Sequence, residues 1–202
     1  GDYRDPETVF SFADTVDVVT FDHEHVPPSI LRELESRGVS VHPRPDALQF
    51  AQDKILMREK LTELGVPVPA WFTALAEDGR GGALLVEELV DFVRELSQLV
   101  ARRPSGEVRA WPVVETIQRD GVCAEVLAPA PVQHAQTHSA DSSDCRSGGT
   151  AAVVECDCIL CTAARIGLTV AEGVGVTGVL AVEMFATADG RVLVNELAMP
   201  TH

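Results

Sequence analysis

Basic residues are scarce in this chain. Of 202 residues, 16 are lysine or arginine against 31 aspartate or glutamate, for a formal charge of −15 and a pI near 4.7. Nucleic acid and anionic membranes select for clustered Lys and Arg, so neither is expected as the main partner. A nucleotide stays open, because it needs only a few local donors and a metal. Long apolar runs are lacking too, with nothing near the ~20 residues of a membrane span. The start GDYRDPETV has no charged-then-apolar signal layout, so a cytoplasmic protein is expected. Phosphate-cradling glycine loops are absent: Glu77–Gly82 (EDGRGG) fits neither the P-loop nor the G-x-G-x-x-G pattern. Paired C-x-x-C motifs are missing as well. Cys123 stands apart, while Cys145, Cys156, Cys158 and Cys161 cluster with His134 and His138 nearby, in a spacing that does not suit structural zinc. Reduced, partly buried thiols are the expectation.

What is present is enough apolar content, 46%, for one sizeable core or two small ones. Val16–Pro27 is a β-branched run, Pro27–Gly38 a helix with proline first and glycine last, and Val39–Pro43 a second short strand. Strand, helix, strand implies a parallel sheet. No glycine-rich strand–turn–helix precedes it, so residues 1–45 read as the back half of a larger domain. In Asp22–His25 (DHEH), His23 and His25 share one face and Asp22 and Glu24 the other. With no third ligand evident, pocket lining or turn chemistry is favoured over a metal site. Asp46–Leu64 has helical spacing and Gly65 as its stop, followed by Val66–Phe72 as an extended connector. Lys54 lies within that helix, either solvated or aimed at a nucleotide phosphate. Ala83–Pro129 alternates β-type runs with turn signals at Pro104–Gly106 and Asp120-Gly121, an antiparallel meander. Residues 132–155, rich in Ser, Gly and Thr, read as loop or disordered chain. Thr162–Gly173 is a helix.

The most informative stretch is Gly178–His202. AVEMF and VLVNE flank Asp189-Gly190, a strong hairpin signal. Glu183 and Glu196 then sit among residues that favour burial, where a carboxylate is costly unless paired or bound to a cation. Two carboxylates on neighbouring strands beside Asn195 suit Mg²⁺, which takes one or two carboxylates plus phosphate oxygens. Two solvated acids on an exposed sheet face are the alternative.

VVTFDHEHVP, PDALQFAQDKILMREKLTELGVPVPAWF, LLVEELVDFVRELSQLVARRPSGEVRAWPVVETIQRDGVC and GVTGVLAVEMFATADGRVLVNELA occur in that order. Together they resemble the 5-(carboxyamino)imidazole ribonucleotide synthases, ATP-grasp ligases of purine biosynthesis, particularly the actinobacterial ones. The resemblance covers about two-thirds of the chain. It implies an α/β fold, with part of a parallel-sheet domain over residues 1–45 and an antiparallel ATP-grasp core over 46–202. It also implies ATP and Mg²⁺ as cofactors, and ATP, bicarbonate and 5-aminoimidazole ribonucleotide as small-molecule partners, with a homodimer open. In the matching positions, Lys54 contacts ATP, Glu87, Glu88, Leu89 and Val90 form the hinge that holds adenine, and Glu95 accepts ribose hydroxyls. Gln118 contacts nucleotide, Asn195 and Glu196 belong to the phosphate site, Glu183 and Glu196 hold the metal, and His202 starts the loop for the second substrate. No catalytic side chain is assigned. ATP would phosphorylate bicarbonate to carboxyphosphate, and the amine of the ribonucleotide would capture the activated carboxyl.

The chain departs from the family pattern in three places. Only TALAEDGRGGA links AWF to LLVEE, where the family has a phosphate-covering lobe with a second ATP lysine. An arginine expected near the end gives way to the Pro200 region. Residues 132–160 do not resemble the family. A non-catalytic remnant that binds only a nucleotide or a sister subunit therefore stands as the second functional class.

Overall fold

The computed structural model describes residues 1–75, 82–131 and 157–199. Helix α1 (Pro6–Ala13) opens it, with Pro6 in the first turn and the Asp5 carboxylate accepting the Thr8 N–H at 3.3 Å. No helix is expected there from periodicity, although Asp5-Pro6 carries the start signal. Strand β1 (Val18–Val19), helix α2 (Pro28–Ser36) and strand β2 (Ser40–Val41) follow, and the two strands pair in parallel as expected.

The helix expected over Asp46–Leu64 is two helices, α3 (Pro45–Gln52) and α4 (Lys54–Glu63). Asp53 leaves the helical conformation, with φ −131° and ψ 108°, and its carboxylate accepts the N–H groups of Ile55 at 2.8 Å and Leu56 at 3.1 Å. A short acidic side chain that can take backbone donors favours a cap over a helix interior. Lys54 is therefore the first residue of α4, not a mid-helix lysine. The Val66–Phe72 connector is also corrected. Trp71 and Phe72 begin strand β3 (Trp71–Leu75), which pairs antiparallel with β4 (Ala83–Glu87), from Trp71↔Glu87 to Leu75↔Ala83. Strand β4 thus leaves the expected meander for a separate two-stranded sheet.

The rest of that meander is as expected. Strands β5 (Phe92–Arg102), β6 (Val108–Ala110), β7 (Val114–Arg119), β8 (Val122–Leu127), β9 (Gly178–Thr187) and β10 (Val192–Ala198) form one antiparallel sheet. Its order is β10-β9-β5-β7-β8, with β6 also on β5. At the β7–β8 turn Asp120 and Gly121 both have positive φ, 53° and 80°, which suits the twist of a tight hairpin. Helix α5 (Ile159–Gly173) begins three residues before the expected Thr162, because Cys158 caps it, its sulfur accepting the Cys161 N–H at 3.3 Å. Both of these cysteines are buried. Expectations for residues 77–81, for 132–156 and for His202 lie outside the described residues.

The alternation of β5 and β9 divides the sheet into two faces. Leu96, Val100, Leu180, Val182 and Met184 are buried with Ala163, Ile166 and Val170 of α5, in a core that continues to Leu31, Leu48 and Leu61. The opposite face carries Glu95, Ser97, Glu183 and Phe185. Among the described residues no helix is long and apolar enough to cross a membrane.

Candidate functional site

In the β9–β10 ladder Val194 lies opposite Met184, but Glu196 lies opposite Glu183, so Asn195 is an inserted residue. A β-bulge of this kind shifts every later side chain by one position. Continued without it, the register would set Asn195 against Glu183 and turn Glu196 toward the buried face beside Val182. With it, the two glutamates face each other on the open face, in one row with Ser97 of β5. The expected carboxylate pair is therefore present.

Lys54 meets this pair: its Nζ lies 3.2 Å from Glu196 Oε2, with both side chains about half exposed. Placing Lys54 at the start of α4, through the Asp53 cap, is what aims it across. Glu183 is half-buried, and its carboxyl is pushed above its ordinary range. Burial is the main cause, and the Glu196 and Glu95 carboxylates add to it, opposed by Lys54. Glu95, two residues from Ser97 on the same face, is also raised, by burial. The acids expected at the metal and at the ribose thus share one electrostatic field.

Of the hinge residues, Glu87 ends β4 and accepts a hydrogen bond from Arg58 Nε. The Glu88 N–H donates to the Ala70 carbonyl at 2.8 Å. Leu89 is 96% exposed, and Leu89 and Val90 follow β4 as open chain. Gln118 is exposed near the end of β7, two residues beyond Thr116, the partner of Glu95, and opposite Cys123 across a further register shift.

A cleft of about 900 Å³ opens beside the pair, lined by Glu24, His25, Gln52, Asp53, Glu183 and Glu196 among others. It lies beyond the carboxyl end of β1, where open α/β sheets commonly hold ligands. Two residues of the DHEH segment therefore line a pocket. His23 instead packs against Tyr3, with ring centroids 4.6 Å apart. The Glu24 carboxylate accepts the Met199 N–H at 3.1 Å, tying this loop to the chain beyond β10. Arg58 has no place in the sequence expectation. It is fully buried, with Nη1 donating to the Val194 carbonyl at 3.0 Å and Nη2 to that of Asn195 at 2.8 Å. In sequence it reads as one more cation of an amphipathic helix, and only its place beside Met57 and Leu61 hints otherwise.

The residues fit a hard divalent cation. The carboxylates of Glu183 and Glu196 line one cleft, and Glu183 is held among like charges that a single lysine offsets only in part. Among the described residues no group of three or more His, Cys, Asp or Glu is placed to bind a metal unaided. A magnesium ion here would need oxygens from a phosphate as well.

Comparison with known proteins gives matches along the whole chain. A ribonucleotide synthetase preATP-grasp domain matches residues 1–52, and an ATP-grasp domain matches residues 62–146 and 141–202. The N5-carboxyaminoimidazole ribonucleotide synthase of Mycobacterium tuberculosis (strain ATCC 25618 / H37Rv) is 39% identical over 246 aligned residues, which take in 100% of this chain and 52% of the relative. The chain spans about half the length of the curated relatives it matches. Since that alignment is longer than these 202 residues, the relative carries internal stretches that have no counterpart here. N5-carboxyaminoimidazole ribonucleotide synthetase from Thermus thermophilus matches with a TM-score of 0.77 at 26% identity, over 100% of this chain and 59% of that one. N5-carboxyaminoimidazole synthase from Aspergillus clavatus, solved with ADP and 5-aminoimidazole ribonucleotide, matches with a TM-score of 0.75 at 24% identity, over 100% and 58%.

Proposed function

Since this chain belongs to the ATP-grasp family, in the branch of the N5-carboxyaminoimidazole ribonucleotide synthases, we propose that it uses ATP to join bicarbonate to 5-aminoimidazole ribonucleotide. The γ-phosphoryl group passes to a bicarbonate oxygen, giving ADP and carboxyphosphate. The exocyclic amine then attacks the carboxyl carbon, phosphate leaves, and the amine gives up a proton. The observation that carries this reading is the Glu183–Glu196 pair, set face to face by the bulge on an open cleft with Lys54 against it.

In this reading Glu183, Glu196 and Asn195 hold Mg²⁺ and the phosphates, and Lys54 turns from Glu196 to the phosphate chain. Magnesium, when bound, offsets the charge that builds on the phosphate oxygens. The protein's own share is positioning and fixed charge. Glu87 to Val90 present backbone and acid to adenine, Glu95 takes the ribose hydroxyls, and Gln118 contacts the nucleotide from β7. His202 begins the segment for the second substrate. The ADP and 5-aminoimidazole ribonucleotide bound to the Aspergillus clavatus protein support a nucleotide and this ribonucleotide as the ligands, while the residue roles follow from the family resemblance. A cytoplasmic location and a homodimer belong to the same reading.

A second reading, a nucleotide-binding protein without turnover, is favoured by one observation. Strands β3 and β4 pair directly and are joined through residues 76–82, which contain no lysine. Phosphoryl transfer relies on donors around the γ-phosphate. The test is ADP release with Mg·ATP, bicarbonate and 5-aminoimidazole ribonucleotide. Release that depends on both co-substrates supports the ligase. Nucleotide binding with no release assigns the chain to the second class.

A further inference from the structure

Arg58 is the one fully buried charged side chain among the described residues, and its three hydrogen bonds reach two separate parts of the site. Two go to consecutive carbonyls, those of Val194 and Asn195, at the point where the β9–β10 register shifts. A bulge takes carbonyls out of the ladder, and a carbonyl buried without a donor is costly. The planar fork of a guanidinium can supply both, which an ammonium cannot do with the same geometry. The third bond goes to Glu87, the last residue of β4 before the proposed adenine hinge. On the strand side, the Val194 N–H donates to the Pro67 carbonyl at 2.8 Å, so the bulge is gripped from two directions.

Resting on the nucleotide-site reading above, we propose that Arg58 is a positioning residue for the metal carboxylates. It holds the bulge that turns Glu196 onto the cleft face, and through Glu87 it ties that bulge to the hinge. Arg58 itself touches neither cation nor nucleotide. Loosening its grip lets β10 slip toward the regular register, in which Asn195 stands opposite Glu183 and Glu196 faces the core. The consequence is specific: Mg²⁺ would no longer strengthen nucleotide binding, even in a folded protein.

The test measures ADP affinity by calorimetry, with and without Mg²⁺, on the full chain. The proteins are wild type, Arg58→Lys, Arg58→Met and Leu61→Val. Leu61 lies on the same helix and is fully buried, and its apolar side chain makes no hydrogen bond to the bulge, so its variant reports a packing defect without loss of the guanidinium. Expected is a gain in affinity from Mg²⁺ in wild type and Leu61→Val, and a loss of that gain by about tenfold or more in the Arg58 variants. Should Arg58→Met fail to fold, Arg58→Lys, which keeps the charge and most of the volume, decides. An Arg58→Lys protein with the wild-type Mg²⁺ dependence would overturn the proposal. So would an equal loss in Leu61→Val, which would mean that any weakening of α4 suffices. Wild type with no Mg²⁺ dependence at all would instead overturn the nucleotide-site reading itself.

Discussion

Glu183→Gln should raise the stability of the ligand-free protein and lower its response to nucleotide, two effects of opposite sign from one substitution. Glu183 faces Glu196 directly across the ladder, and burial with nearby carboxylates lifts its carboxyl above the ordinary range. At roughly 6 Å and an effective dielectric of about 20 to 80, two carboxylates repel by roughly 0.7–3 kcal/mol. Lys54 against Glu196, half exposed, returns part of this, which leaves a net relief of about 1 kcal/mol. For a protein of this size that is a rise of about 2–4 °C in Tm. The sign can be checked with pH. A carboxyl raised in the folded state binds more protons there than when unfolded, so wild-type stability falls as pH rises from about 4.5 through the raised value. The advantage of Glu183→Gln should therefore be full at pH 7 and vanish toward pH 4.5. With Mg·ATP at about 100 times its Kd, wild type should gain about 2.7 kcal/mol. That is roughly 5–10 °C. A tenfold loss of affinity in the variant removes about 1.4 kcal/mol, half of the shift. Thermal melts of both proteins, with and without ligand, at pH 7 and pH 5, read all of this. A lower ligand-free Tm in the variant would show that the two carboxylates do not repel, and an equal ligand shift in both proteins would show that Glu183 does not hold the cation.

Glu196→Gln removes the same repulsion but also the Lys54 pair, so its ligand-free Tm should stay within about 2 °C of wild type while its Mg·ATP shift falls as far as that of Glu183→Gln. Asp53→Ala removes the cap of α4, which should cost about 1 kcal/mol in chemical denaturation and weaken nucleotide binding, because Lys54 and Arg58 both ride on that helix. At Gly167 an added Cβ would lie 2.4 Å from Gln98 Cγ and 2.8 Å from Gln98 Cβ, so Gly167→Ala should push α5 off the sheet and cost about 1–3 kcal/mol by the same denaturation assay.

The hairpin that carries the pair was legible because its signals are local: Asp189-Gly190 between two apolar runs, with φ of 88° at Gly190. The bulge was not, since VLVNEL has no residue that marks an insertion, and its position rests on a guanidinium from another element. The helix break at Asp53 had a local signal that the apolar spacing on either side obscured. Arg58 was hidden for the opposite reason. An arginine in a helix reads as a surface cation until the chain supplies three acceptors in the core. Lys54, Glu183, Glu196 and Glu95 are brought into one field, whereas Gln118 lies exposed near the end of β7 and Leu89 is bare to solvent. Those two positions rest on family resemblance alone.

That the Glu183–Glu196 pair is a magnesium–nucleotide site can be tested by calorimetric titration of ATP. The titration compares wild type with the Glu183→Gln/Glu196→Gln double variant, each with Mg²⁺ and with a chelator. Wild-type affinity should be at least tenfold higher with Mg²⁺, and the double variant should show no such gain. The same Mg²⁺ gain in both proteins, or none in wild type, would mean that the pair does not hold the metal.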